Sequence, residues 1–105
     1  MMPDCSPADA ARGLNADSLV VLDVREPDEC AVATIQGTLC IPMGEIPART
    51  NELPRDLPIA VLCHHGMRSA QVAAFLERAG FPEVFNIPGG IDRWSIEVDP
   101  SIPRY

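Results

Sequence analysis

The stretch AVLCHHGMRSAQVAAFL, residues 60–76, decides how this chain is read. Apolar Ala60, Val61 and Leu62 lead into Cys63, two histidines, a glycine, an arginine and a serine. From Arg68 onward Val72, Phe75, Leu76 and Ala79 recur at helical spacing, and Gly80 supplies the stop. The stretch is therefore a strand, a short loop and a helix. The strand begins at Ile59 and shows no polar alternation, which is the pattern of a strand covered on both faces.

Working outward, the same kind of unbroken apolar run occurs at 19–22, ending on Asp23, and at 39–41, closed by Pro42, and a last strand is expected over 84–87. Helical patterns fall between these runs. Ser6 is placed to cap a helix over 7–14, with Pro7 at its first position. A short helix is expected over 28–35 and a weak one over 46–53, stopped by Pro54. Pro88-Gly89-Gly90 forces a turn before a last helical piece holding Trp94. Alternation of this kind predicts an α/β fold, with a mainly parallel central sheet of about five short strands and helices on both faces. No repeat, low-complexity tract or Gly/Ser linker divides the chain, so residues 1–105 are read as a single domain.

A chain of 105 residues can bury one core without a metal or disulfide staple. With 47% hydrophobic and 22% charged residues it is a globule rather than a disordered chain. The formal charge of −7 argues against nucleic acid and against an anionic membrane as partner. No run approaches a membrane span, and MMPDCSPADA lacks the basic and apolar regions of a signal peptide. The cysteines at 5, 30, 40 and 63 form no Cys-x-x-Cys and no common zinc spacing. Reduced thiols in a cytoplasm are expected, with no metal and no cofactor. Cys5, Cys30 and Cys40 read as inert packing or surface thiols.

Reactive groups in parallel sheets collect beyond the carboxyl ends of the strands, and Cys63 stands at such an end. It also precedes a helix, whose unpaired amides and dipole favour a thiolate and lower its pKa below about 8.5. Arg68 adds a fixed positive charge. None of the six residues after Cys63 is proline, so every one carries an N–H, and Gly66 permits the positive φ a tight loop needs. Consecutive amides curled over a sulfur make an anion nest suited to a thiolate or to the outer sulfur of a persulfide. Such a cysteine accepts a group, holds it covalently and passes it on.

Each of these residues also has a plainer reading. A cysteine at a strand end is often a small buried hydrophobe. His64 and His65 are adjacent, and adjacent residues rarely present both rings to one metal ion, so they read as exposed rings or as tuners of the loop. Asp23 and Arg25 sit where charge meets solvent; Arg25 pairing with Glu29 is the structural reading, and Asp23 orienting the loop is the functional one. Ser69 reads as a helix-capping hydroxyl rather than a nucleophile. Trp94, Gly89 and Gly90 read as core and turn.

Three segments, DVREPDE at 23–29, CHHGMRS at 63–69 and VFNIPGGIDRW at 84–94, together resemble the rhodanese sulfurtransferases, over about residues 19–94. The resemblance is to the stand-alone, single-domain type and implies the rhodanese-like fold. It also implies that Cys63 cycles between thiolate and persulfide, inside a loop of His64, His65, Gly66, Met67, Arg68 and Ser69. The donor implied is a small sulfane-sulfur anion such as thiosulfate. The acceptor is thiophilic: cyanide in assays, a cellular thiol or a thiol protein otherwise. Phosphatases of the same fold carry a loop one residue longer; the four residues between Cys63 and Arg68 suit a single sulfur atom. The alternative is a carrier or binding module that receives persulfide sulfur from a partner protein without turning over. The chain departs from the family at Ala33–Thr38, which lacks the usual histidine, and at Cys30, where an aromatic is usual. Its loop histidines make a less basic loop than thiosulfate users carry.

Overall fold

The computed structural model of the protein describes residues 3–105. Strands β1 (Val20–Asp23), β2 (Leu39–Cys40), β3 (Ile59–Leu62) and β4 (Val84–Asn86) lie side by side in the order β2-β1-β3-β4, every pair parallel. Their register places Asp23 opposite both Cys40 and Leu62. Helices α1 (Pro7–Asn15), α2 (Pro27–Val32), α3 (Met67–Arg78) and α4 (Gly90–Glu97) supply the connections and the covering layers.

Unbroken apolar strands follow from this layering. Leu22, Ile59 and Val61 point to the face packed by Val72, Ala73 and Leu76 of α3. Val21, Ala60 and Leu62 point to the other face, against Ala10 of α1 and Ile91 and Trp94 of α4. All four residues of β3 are buried, so a polar residue at any of them would lose water on either face. Burying each of Ile59, Val61 and Leu62 stabilises the fold by about 1.5–3 kcal/mol. No helix among the described residues is long and apolar enough to cross a membrane.

The structure corrects the expected element list in three places. Among the described residues the sheet has four strands, not about five. A fifth begins at the β4 edge, where Asn86 N–H donates to the Pro3 carbonyl at 3.1 Å and Cys5 N–H to the Asn86 carbonyl at 2.8 Å. It goes no further than the single Asp4–Asn86 bridge, because Ser6 at once caps α1 by accepting from Asp9 N–H at 3.1 Å. The helix expected over 46–53 is absent; two 3₁₀ turns, Met43–Glu45 and Thr50–Glu52, stand there instead. The main chain there closes three-residue turns instead, Ile46 N–H donating to the Met43 carbonyl, Arg49 N–H to Ile46 and Glu52 N–H to Arg49. Finally α2 ends at Val32 rather than near 35, and Ala33 turns extended at φ −152°. The Arg25 guanidinium takes the Ala33 carbonyl at 2.8 Å, terminating the helix from below.

Candidate active site

Beyond Leu62 the chain leaves the sheet, and two loops meet at the carboxyl end. The first, 63–66, runs from β3 into α3. The second, 87–89, runs from β4 into α4. Ile91 N–H donates to the Cys63 carbonyl at 2.9 Å and Asp92 N–H to the His64 carbonyl at 3.2 Å. With its carbonyls held by the first turn of α4, the first loop presents its N–H groups to its own interior. The contact is close because Gly90 has no side chain: a Cβ there would lie 2.3 Å from the Cys63 carbonyl oxygen. Gly66 makes the turn into α3 at φ +104°, the left-handed region that glycine enters without strain.

Cys63 Sγ lies inside that turn. It accepts from Gly66 N–H at 3.1 Å and Ser69 N–H at 3.3 Å, and Ser69 Oγ stands 3.2 Å away. Burial pushes the thiol pKa up. The Ser69 hydroxyl and the main-chain N–H groups of Ser69, Gly66 and His65 together outweigh burial, and the pKa falls below the ordinary thiol value. The residue is 1% exposed, so the loop closes around its sulfur. Met67, 76% exposed, and His65 are the exposed members of the segment.

Ser69 is not a cap. The N-cap of α3 is Gly66, and the Ser69 side chain turns inward, donating to Asn86 Oδ1 at 2.6 Å. Asn86 Nδ2 in turn donates to the Gly66 carbonyl at 3.3 Å, tying β4 to the loop. Sequence reasoning passed over Asn86. Its trace was a polar residue at the carboxyl end of an apolar strand.

Arg68 forms no hydrogen bond with the sulfur among the described residues, although its charge acts on Cys63 through space. It clamps the Glu29 carboxylate with two bonds, 2.6 and 2.9 Å, and holds that carboxyl down to about 2. The ion pair expected between Arg25 and Glu29 is therefore absent as a carboxylate contact; Arg25 reaches only the Glu29 main-chain carbonyl, at 3.4 Å. Its carboxylate partner is Asp23, at 2.6 Å, and neither side chain is exposed at all. Asp23 bonds the Arg25 main chain and guanidinium and receives the Cys30 thiol at 3.8 Å. It forms no hydrogen bond with residues 63–69 among the described residues.

Tyr105 joins these groups. Its hydroxyl accepts from Arg25 Nη1 at 2.9 Å and donates to Glu29 Oε2 at 2.8 Å, while its ring stacks on His64 at 3.9 Å between centroids. Nothing in the local sequence around Tyr105 marks it, since its partners are 76 and 80 residues away. Burial, then the neighbouring His65, lowers the His64 pKa and favours its neutral ring.

Among the described residues two groups of side chains have metal-ligand composition: His64, His65 and Asp92, and Asp23, Cys30 and Cys40. In each the carboxylate already carries a guanidinium, Arg104 on Asp92 at 2.8 Å and Arg25 on Asp23 at 2.6 Å. A metal ion at either place would compete with a positive charge already seated.

A family profile described as the rhodanese-like domain matches residues 6–97. The putative sulfur carrier protein YrkF of Bacillus subtilis is 40% identical over 79 residues, which is 75% of this chain and 43% of that protein. A sulfurtransferase of Allochromatium vinosum is 36% identical over 81 residues, 77% of this chain and 76% of that one. Among solved structures, a rhodanese-related protein from Thermoplasma volcanium superposes with a TM-score of 0.85 at 33% identity, covering 98% of this chain and 99% of its own. The chain thus spans less than half of the first relative and about three quarters of the second.

Proposed function

The chain belongs to the rhodanese-like family, and from that premise we propose that it transfers sulfane sulfur through a persulfide on Cys63. One observation carries the proposal: Cys63 Sγ sits among N–H groups at 3.1 and 3.3 Å that stabilise negative charge on sulfur. The Cys63 thiolate attacks the outer sulfur of a donor such as thiosulfate. A Cys63 S–S bond forms, the donor S–S bond breaks, and sulfite leaves with the electron pair. The acceptor, cyanide or a thiolate, then attacks the outer persulfide sulfur and Cys63 departs as thiolate. Both steps begin and end with charge on sulfur, which is where the loop N–H groups point.

His64, His65 and Met67 form the rim that a donor crosses, Gly66 and Ser69 hold the sulfur, and Arg68 fixes the start of α3 through Glu29. Asp23 and Arg25 act as a buried support beneath α2. Residues 1–105 act as one domain in a reducing cytoplasm, requiring neither metal nor organic cofactor. With a charge of −7 its partners are a sulfur donor and a thiol acceptor, not nucleic acid or an anionic membrane.

Intact mass spectrometry tests this. Incubation with thiosulfate, glutathione persulfide or mercaptopyruvate should add one sulfur atom, and Cys63→Ser should abolish the gain. Absence of an adduct with all three donors overturns the proposal. A second reading, a carrier that accepts sulfur from a partner protein, is favoured by the likeness to a putative sulfur carrier. Rapid loading from a protein persulfide, with negligible thiosulfate:cyanide turnover, selects the carrier.

A further inference from the structure

From the sequence alone Cys30 and Cys40 read as inert packing or surface thiols. In the fold, the last residue of β2 and a residue of α2 bring them together: the two sulfurs and an Asp23 oxygen lie within 4.8 Å of one another. The metal reading of this cluster fails on its third member. Asp23 is fully buried and takes Arg25 bonds at 2.6, 2.9 and 3.2 Å, leaving a cation only two sulfurs beside a seated guanidinium. Two thiols without a metal have a different chemistry.

We propose that Cys30 and Cys40 are a reversible dithiol–disulfide site that reacts with low-molecular-weight disulfides, separate from Cys63. The order of events follows from exposure. Cys40 is exposed, with Thr38 Oγ1 at 3.8 Å, and meets the reagent first. Its thiolate attacks a disulfide RSSR, forming a Cys40–S–S–R bond and releasing RS⁻. Cys30 then attacks the Cys40 sulfur; the Cys30–Cys40 bond forms, and the second RS⁻ leaves and takes the Cys30 proton. The protein loses two electrons and two protons, and one RSSR becomes two RSH.

The second step is the slower one. Burial, then the charge of Asp23, pushes the Cys30 thiol up to about 12, so little of it is thiolate at neutral pH. Cys63 stays out of the link because it is 1% exposed and enclosed by its own donors. Closure would staple α2 to the sheet edge one residue from Glu29, the partner of Arg68.

The test uses the whole protein and oxidised glutathione, followed by acid quenching, intact mass and peptide mapping without reduction. The expected product has lost two hydrogens, carries a 30–40 link and reverts with dithiothreitol. Cys30→Ser should instead accumulate a stable glutathione adduct at Cys40, since nothing is left to expel it. A glutathione adduct that persists at Cys40 of the unsubstituted chain, or a link that includes Cys5 or Cys63, overturns the proposal. Because Cys63→Ser leaves both sulfurs of the pair in place, its 30–40 link should form as in the parent chain. The disulfide site and the persulfide site therefore fail or stand separately.

Discussion

The single hydrogen of the Ser69 hydroxyl has two claimants. With Cys63 as a thiol it goes to Asn86 Oδ1 at 2.6 Å, and the S–H can donate to Ser69 Oγ at 3.2 Å. Once the sulfur is charged, a hydrogen bond to it is worth more than one to a neutral amide, and the hydroxyl turns. Ser69→Ala should therefore raise the Cys63 pKa, because the hydroxyl favours the charged sulfur more than any single main-chain donor does. Site-resolved alkylation by iodoacetamide across pH measures the midpoint; an unmoved midpoint would show that the main-chain donors suffice. The sequence showed a serine near a helix start, where capping is the common use. A capping side chain must stand before the first helical residue, whereas Ser69 is already helical and third in line. That difference is invisible until the first helical residue is known.

Between elements, the decisive contact is loop on loop. A methyl group at Gly90 would meet the Cys63 and His64 carbonyl oxygens at 2.3 and 2.4 Å. These are backbone atoms with nowhere to go, so the first loop must shift away from α4. Gly90→Ala should slow persulfide formation by about 10²-fold, since displacement of order 1 Å at a reacting centre costs that much. Stability should fall by about 1–3 kcal/mol as in other overpacked sites. Loading rates by quenched mass spectrometry, beside circular dichroism, check this, and loading at the parent rate would mean the two loops yield freely. The positive φ of Gly66 was legible from its place between loop and helix. The close approach at Gly90 was not, because it depends on where a different strand ends. The same holds for the segment 46–53, whose helical pattern gives way to three-residue turns closed at Ile46, Arg49 and Glu52.

Across the molecule, Glu29 connects parts distant in the chain: Arg68 on α3, Tyr105 near the end and, through Tyr105, Arg25 beside β1. Arg68 first among its partners lowers the Glu29 carboxyl from an ordinary 4.5 to about 2. A depressed carboxylate stabilises the fold above its unfolded pKa and loses that contribution as pH falls through the folded one. The window is thus pH 4.5 to about 2. At about 1.4 kcal/mol per unit, and with the side chain mostly covered, the contribution at neutral pH is on the order of 2–3 kcal/mol. Glu29→Gln should lower stability by about 2 kcal/mol at pH 7, with the gap to the parent chain closing through that window. Urea unfolding at several pH values reads it; a gap that stays constant down to pH 3 would show that the carboxylate charge is not what matters.

Periodicity, capping and chirality act over a few residues, so the order of strands and helices, the parallel buried sheet and the turn at Gly66 could be read from the chain alone. The same local rules put a thiol at a strand end ahead of a helix. Which groups surround it is another matter. Asn86 behind Ser69, Glu29 on Arg68, Tyr105 over His64, and Cys30 beside Cys40 are pairings between segments far apart in sequence. A hydrogen bond forms only at about 3 Å, and the packing of four helices on one sheet is what selects the atoms that come so near.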